Sequence, residues 1–235
     1  LKEKFRLWLN YHSIKNSDHI VCISKNTKKD LLNYIPDVDE SKISVIYNGV
    51  SKEYRPLHSI EQQYGDYILF VGGRQNYKNF EFTVNAVRDT KYKLLICGNE
   101  LSNLEKKMLD ELLGLHRYKF KLRPSNIELN NIYNQVHSLI YPSSYEGFGI
   151  PVLEAQRAGC PVVALNTSSI PEIIGDGGLL LNSLDKEEFK SLIFEIDSFR
   201  NRERLIEAGL YNSSKYSWTK MANGYKSLYD KLLKQ

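Results

Sequence analysis

Two carboxylates bracket a glycine-bearing loop in the stretch Pro142-Ser-Ser-Tyr-Glu146-Gly147-Phe148-Gly149-Ile150-Pro151-Val-Leu-Glu154. The apolar run SLIY (138–141) precedes the loop. Pro151 stands where a helix takes its first turn, because the N–H that proline lacks is unsatisfied there anyway. The amides of Gly147, Phe148, Gly149 and Ile150 fall at or before that helix N-terminus. Free amides and the helix dipole favour phosphate or sugar oxygens at such a place. A carboxylate there is no phosphate ligand; it accepts hydrogen bonds and suits the vicinal hydroxyls of a sugar. Glu154 alone would read as a helix-stabilising first-turn acid, and Glu146 alone as a loop charge. Their placement on both sides of Gly-Phe-Gly-Ile-Pro points to a ligand that carries hydroxyls and phosphate together.

A second stretch, Gly72-Gly73-Arg74-Gln75-Asn76-Tyr77-Lys78-Asn79, follows the apolar run YILFV. Its glycines let the backbone approach a ligand closely, and Arg74 and Lys78 bring two positive charges. That combination neutralises a diphosphate without a metal. It is neither GxxxxGK[ST] nor GxGxxG. From this stretch alone, a solvated turn with ordinary surface charges explains the residues equally well.

Both stretches need a scaffold of strands and helices, and the chain alternates the two. HIVCIS (19–24), KISVIYNGV (42–50), YILFVGG (67–73), KYKLLICG (91–98), YKFKL (118–122), SLIY, PVVAL and GLLL read as strands. Helices are expected over Asn26–Tyr34, near 79–88, around Leu101, Leu104, Met108 and Leu112, over ELNNIYNQV and over PVLEAQRA. A tail helix carries Trp218, Met221, Ala222, Tyr225, Leu228, Tyr229 and Leu232 at spacings of mostly three and four. Short apolar strands between helices predict an α/β fold, a Rossmann-like parallel sheet with helices on both faces. Such sheets bind ligands at the carboxyl ends of their strands, where both stretches sit. Residues 1–50 read as the end of one unit, 51–66 as a linker and 67–216 as a complete second unit, with 217–235 as a closing helix. The chain begins at Leu1 rather than Met, in keeping with a fragment.

Composition bounds the chemistry further. Hydrophobic residues make up 42% and charged residues 26% of the 235 residues, which argues against disorder. A net charge of +4 is too small to argue for nucleic acid and compatible with a phosphorylated ligand or an anionic surface. The odd set Cys22, Cys97 and Cys160 has no CxxC spacing and reads as buried reduced thiols. Asn166-Thr-Ser and Asn212-Ser-Ser are then chance sequons. Asp37-Val38-Asp39 has the form of a metal-binding DXD but lies in a polar loop after Pro36, and the histidines 12, 19, 58, 116 and 137 lack metal-ligand spacing. No metal site is expected.

YEGFGIPVLEAQRAGCPVV, followed by SSIPEIIGDGG, closely resembles the signature of the retaining glycosyltransferases of the group 1, GT-B type, which include bacterial mannosyltransferases. Their hallmark is two glutamates separated by seven residues, here Glu146 and Glu154. VGGRQNYKNF resembles the family's phosphate-binding turn, and SWTKMANGYKSLY its C-terminal crossover helix. CISKNTKKDLL and KISVIYNGV resemble the last elements before its interdomain linker. The resemblance implies two Rossmann-like domains, the C-terminal one binding a nucleotide diphosphate sugar, GDP- or UDP-linked, with no cofactor. It implies that Glu154 holds the ribose, that Glu146 is catalytic and contacts the donor sugar, and that Gly147 to Ile150 line sugar and phosphate. Gly73, Arg74 and Lys78 would hold the diphosphate, and Arg123, Pro124 and Leu129 the base side. Where the family usually has Gly, this chain has Leu122, which leaves the base open.

The implied activity moves a hexose, mannose-like, to a glycan or lipid-linked acceptor in cell-surface polysaccharide synthesis, including lipopolysaccharide. The expected location is the cytoplasm, peripheral at the inner face of the cytoplasmic membrane. Residues 1–50 would be a remnant of the acceptor-side domain, so the isolated chain is expected to bind donor and to transfer weakly or not at all. Phe5, Leu7, Trp8, Leu9 and Tyr11 would pack in the rest of that domain or anchor on a membrane. Two rival classes stand beside this one. A nucleotide-sugar epimerase on the same fold would be told apart by its product, and a non-catalytic nucleotide-sugar binding module would be indifferent to loss of Glu146.

Overall fold

The computed structural model describes residues 10–59 and 61–234; Phe5, Leu7, Trp8 and Leu9 lie outside them. Contacts divide the chain into two compact units: residues up to Gly49 together with those from Trp218 onward, and Val50–Ser217.

The larger unit is built on a six-stranded sheet. Its strands are β3 (Tyr67–Val71), β4 (Lys93–Gly98), β5 (Tyr118–Leu122), β6 (Ser138–Tyr141), β7 (Val162–Leu165) and β8 (Leu179–Leu181), in the spatial order β5-β4-β3-β6-β7-β8. Every pairing is parallel. The sequence dictates which strands are central. β3 and β4 are almost wholly apolar and buried on both faces, as a parallel strand between helical layers requires. β5, with its Tyr-Lys-Phe-Lys alternation, is an edge strand whose Tyr118 and Phe120 turn to the core. The lysines on its other face discourage pairing with another edge.

The chain leaves β3 toward β4 on one side and returns to place β6 on the other. This is the topological switch point of a doubly wound sheet, where the loops after the two adjacent strands diverge and open a crevice. Helices follow each strand: α2 (Phe80–Arg88), α3 (Asn103–Leu112), α4 (Asn126–Gln135), α5 (Ile150–Ala158), α6 (Ile170–Ile174), α7 (Lys186–Asp197) and α8 (Phe199–Ser214). Capping boxes start α3 and α4, through Ser102 with Glu105 and Ser125 with Glu128.

Helix α3 departs from the expected pattern. Leu104, placed on its apolar face by spacing, is 81% exposed, and Leu109 is the buried leucine. The capping box fixes the helix start at Ser102, which places Leu104 in the first turn, while Met108 and Leu112 further along pack against the core. Helices α7 and α8 had no counterpart in the sequence reading. The buried face of α8 is Leu205, Gly209, Asn212 and Ser213, which carries little apolar signal. Asn212 Nδ2 donates to Gln156 Oε1 and Ile173 O, each at 2.8 Å, so that sequon is buried structure. A Cβ on Gly177 would lie 2.5 Å from Gly209 Cα, so the backbones meet there.

The smaller unit pairs β1 (Ile20–Cys22) with β2 (Ile43–Val45) in parallel, beside α1 (Lys25–Tyr34). The expected strand 42–50 is limited to three residues. The tail helix α9 (Trp218–Leu232) buries no residue fully; of the expected apolar repeat, Met221, Tyr225, Leu228 and Leu232 are half-buried, with Gly224 beside them, whereas Trp218, Ala222 and Tyr229 are exposed. Gly224 lies against Ile46, where a Cβ would be 3.2 Å from Cγ2. Asp37 pairs with Lys15, and Asp39 caps the turn that follows by accepting from Ser41 N at 2.9 Å, so both acids of the DXD are spent on local structure.

At the amino ends of the strands a polar cluster closes the larger unit. The ring of His137 stacks on Tyr92 at 4.2 Å and bonds Asp197 Oδ1 and Ser138 Oγ, both at 3.1 Å, while Arg202 donates to its carbonyl at 2.7 Å. Burial, followed by the charge of Arg202, pushes the His137 pKa down to about 4 against the pull of Asp197. The unfolded chain takes up this proton near pH 6.5 and the folded chain near 4. The stability that the neutral ring contributes above pH 6.5 is therefore lost as pH falls toward 4, by at most about 3 kcal/mol. NMR titration should show His137 neutral at pH 5.5. Protonation near 6.5 would show that the ring is open to water.

Candidate functional site

The loops after β3 and β6 lie side by side at the switch point. After β3 the chain passes Gly72 and Gly73, makes a 3₁₀ turn over Asn76–Lys78 and enters α2 through Asn79. After β6 it passes Glu146 and enters α5 through Gly149, whose φ of 96° only glycine adopts freely. A Cβ there would also stand 2.7 Å from Ile170 Cδ1. Pro151 falls in the first turn of α5, as its missing donor allows.

Lys78 and Glu146 meet across these loops as an ion pair, with side chains 13% and 14% exposed. Lys78 Nζ also donates to Tyr141 Oη at 3.3 Å and lies 5.1 Å from the centre of that ring. Glu146 is held from behind by the loop after β7. Its N–H donates to Ser168 Oγ at 2.9 Å, and its carbonyl accepts from Ser169 Oγ at 2.8 Å. Ser168 takes a positive φ of 50° to do so. The sequence reading assigned neither serine a role. They open the stretch SSIPEIIGDGG, which was the signal that they stood near the site.

Arg74 differs from the expected free charge in a solvated turn. Its side chain is only 6% exposed. Nε donates to Glu105 Oε1 at 2.5 Å, Nη2 donates to Glu100 O at 2.7 Å, and the guanidinium lies 5.8 Å from the Phe80 ring centre. Nη1 is buried and has no hydrogen-bond partner among the described residues. Burial would raise the Glu105 pKa, yet the bonds from Arg74 and Ser102 outweigh it and hold the carboxyl below its ordinary value. Arg74 is thus part of the frame as well as a donor.

Glu154 lies in the second turn of α5, half-buried, rather than in an exposed first turn. Tyr133 donates to its Oε2 at 3.2 Å, and Tyr54, whose hydroxyl donates to Asn126 Oδ1 at 3.2 Å, is close enough to the same carboxylate to lower its proton affinity. The two tyrosine rings meet edge-on, their centres 5.9 Å apart. Burial raises the Glu154 pKa, and the two hydroxyls pull it back only in part. Tyr54 lies in the segment read as a polar linker, which hid its part in the site.

The remaining candidates are spread around this centre. Gly73 and Gly147 are half-buried, Ile150 begins α5, and Phe148 is buried edge-on to Tyr216 at 5.9 Å. Arg123 is exposed with φ 40°, donating from Nε to Asn99 Oδ1 and from its backbone N to Gly98 O, both at 2.9 Å. The left-handed backbone thus occurs at Arg123, one residue after Leu122. Pro124 is half-buried beside it, and Leu129 is buried in α4.

With this geometry in place, the chain matches the family described as glycosyl transferases group 1 over residues 58–209. The chain belongs to the group 1 glycosyl transferases. Residues 1–54 match a second description, Glycosyltransferase Family 4. Among relatives of this group 1 chain, an O-antigen chain mannosyltransferase B of Escherichia coli is 38% identical over 93% of the chain and 63% of its own length. An uncharacterised glycosyltransferase of Methanocaldococcus jannaschii is 31% identical over 97% of the chain and 64% of its own length. The chain therefore spans less than two thirds of these relatives. Among solved structures, a glycosyltransferase from Rickettsia africae matches with a TM-score of 0.81 at 22% identity, covering 99% of this chain and 68% of its own. An Anabaena protein in complex with UDP and glucose matches at 0.83 and 14%, covering 98% and 68%. These likenesses establish the GT-B type of α/β fold. Among the described residues, no helix is long and apolar enough to cross a membrane.

Two outcomes follow from the buried charges. The raised pKa of Glu154 means that the fold favours its neutral form more than the unfolded chain does, so stability present below the ordinary carboxylate range is lost as pH rises through the raised value. Glu154→Gln should raise the unfolding midpoint at pH 7, with a gain that shrinks toward pH 4; a lower midpoint at pH 7 would show that the tyrosines more than offset burial. Arg74→Ala should destabilise by about 1.5 to 3 kcal/mol in denaturant unfolding, because it leaves Glu105 and the Glu100 carbonyl without their donor. A change below about 0.5 kcal/mol would return Arg74 to the class of surface charges.

Proposed function

We propose that Val50–Ser217 is the donor-binding domain of a retaining hexosyltransferase that takes its sugar from a GDP- or UDP-linked donor. The observation that carries this reading is the pairing of Lys78 with Glu146 at the mouth of α5, with Glu154 one turn further along. A cation, a helix N-terminus and two carboxylates then converge at the carboxyl ends of β3 and β6. On this reading Glu154 and its two tyrosines accept the ribose diol, and Glu146 accepts sugar hydroxyls. Lys78, the backbone from Gly147 to Ile150 and, through its fixed charge, Arg74 carry the diphosphate charge. The base lies toward Arg123, Pro124 and Leu129.

In the transfer, the acceptor oxygen bonds to the anomeric carbon on the face from which the phosphate leaves. The departing phosphate oxygen takes the acceptor's proton, which gives a glycoside and a nucleoside diphosphate. The protein neutralises the leaving charge with fixed cations and needs no cofactor for this. The O-antigen chain mannosyltransferase relatives support a mannose-like hexose and a role in cell-surface polysaccharide synthesis; to these we add, as proposals, a glycan or lipid-linked acceptor and a place at the cytoplasmic side of the membrane. Residues up to 50 are proposed as part of the acceptor-side domain.

Calorimetric titration with UDP, GDP and their hexose derivatives tests the reading. Affinity should be equal in EDTA and in Mg²⁺. Glu154→Ala should weaken nucleotide and sugar nucleotide alike, by ~1.5 to 3 kcal/mol, whereas Glu146→Ala should spare the free nucleotide. Loss of binding on chelation, or equal losses in both variants, would overturn these assignments.

A further inference from the structure

We propose that Asn79 is a positioning residue whose carboxamide locks the loop bearing Lys78 to the loop bearing Glu146. The two charged groups are thereby presented to the donor as one rigid pair. The proposal rests on the donor-binding reading above and adds to it a residue that contacts neither nucleotide nor sugar.

The backbone of Asn79 is the first observation. It sits at φ 50° and ψ 45°, the left-handed region, where asparagine is tolerated but a β-carbon is otherwise costly. This residue ends the 3₁₀ turn and opens α2. An asparagine at that position ordinarily accepts from an amide of the first helical turn through its side-chain oxygen. Asn79 makes no such cap. Its Nδ2 instead donates away from the helix, to Pro142 O and to Ser144 Oγ, each at 2.7 Å. The proline carbonyl can only accept, which fixes which end of the amide faces the neighbouring loop. A return bond runs from Ser144 N to Tyr77 O at 2.7 Å.

Three bonds thus cross between the loops, and they flank the ion pair closely. Lys78 is the residue before Asn79, and Glu146 lies two residues beyond Ser144. Neither loop has regular structure between its strand and the turn or helix that follows, so the strands alone do not set their spacing. Misplacement of a binding group by about 1 Å can cost up to a hundredfold in rate. A clamp beside the pair sets that distance without occupying ligand space.

The test is a thermodynamic cycle read by calorimetry with UDP and GDP as probes. Asn79→Gly keeps the left-handed backbone and removes the carboxamide. Asn79→Asp keeps size and turn preference but sets an acceptor against the Pro142 carbonyl. Both should weaken the tighter-binding probe by about tenfold. In the Lys78→Ala background, Asn79→Gly should cause no further loss, because the residue acts through Lys78. A merely structural residue would give the same loss in both backgrounds, and that additivity would overturn the proposal. Unchanged affinity in Asn79→Gly beside weakened affinity in Lys78→Ala would also overturn it, while leaving the donor-binding reading intact. Unchanged affinity in Lys78→Ala would overturn that reading, and the role of Asn79 with it.

Discussion

The parallel pairing of β3 with β6, Ile68 opposite Ser138 and Leu69 opposite Leu139, is the constraint on which the site depends. These two strands are neighbours in space and distant in sequence, and the chain turns away from them in opposite directions. Their carboxyl ends are the one place in the sheet where two loops diverge without a crossover helix between them. Lys78 rides on one loop and Glu146 on the other. A slip of one residue in this register would turn the side chains of β6 to the opposite face and carry Glu146 away from Lys78. The full burial of Ile68, Leu69, Leu139 and Ile140 is what forbids the slip.

Two glutamates close together in sequence have been given different physical characters by what surrounds them. Glu146 meets a lysine and is fastened by two serines through its backbone. Glu154 meets two phenols and no cation among its named partners, so burial sets its proton affinity. The first environment keeps a charge in a fixed place. The second holds an acceptor whose charge burial makes costlier than in water, offset in part by the phenols beside it. Arg74 shows the reverse balance, with most of its bonding capacity committed to Glu105 and Glu100 and one nitrogen left over.

The parts legible in the sequence were those encoded by local chemistry. Strands such as YILFV and KLLICG declare themselves by being apolar throughout, and the Gly149-Ile150-Pro151 helix start declares itself by the backbone it demands. What escaped was set by tertiary context. Tyr54 sits in a polar stretch and becomes part of the site only because Glu154 and Tyr133 are brought to it. Helix α8 hides its buried face in Gly209, Asn212 and Ser213, which fit because the opposing backbone at Gly177 comes close enough to leave no room for larger residues. Leu104 shares the spacing of Met108 and Leu112, which pack on the core, yet in the first turn of its helix it stays exposed. Arg74 was legible as a cation, but its burial depends on Glu105, which arrives from a different helix.

The smaller unit is assembled from two stretches of chain that lie on either side of the larger one, with Gly224 of α9 against Ile46 beside β2. During synthesis, β1, β2 and α1 emerge before Val50–Ser217, and α9 joins them only after all of that segment has been made. The larger unit has no such debt, since each of its strands pairs with neighbours made within the same continuous segment. The smaller unit is therefore completed only after the segment between its two parts, a long-range contact that closes after the local ones within Val50–Ser217.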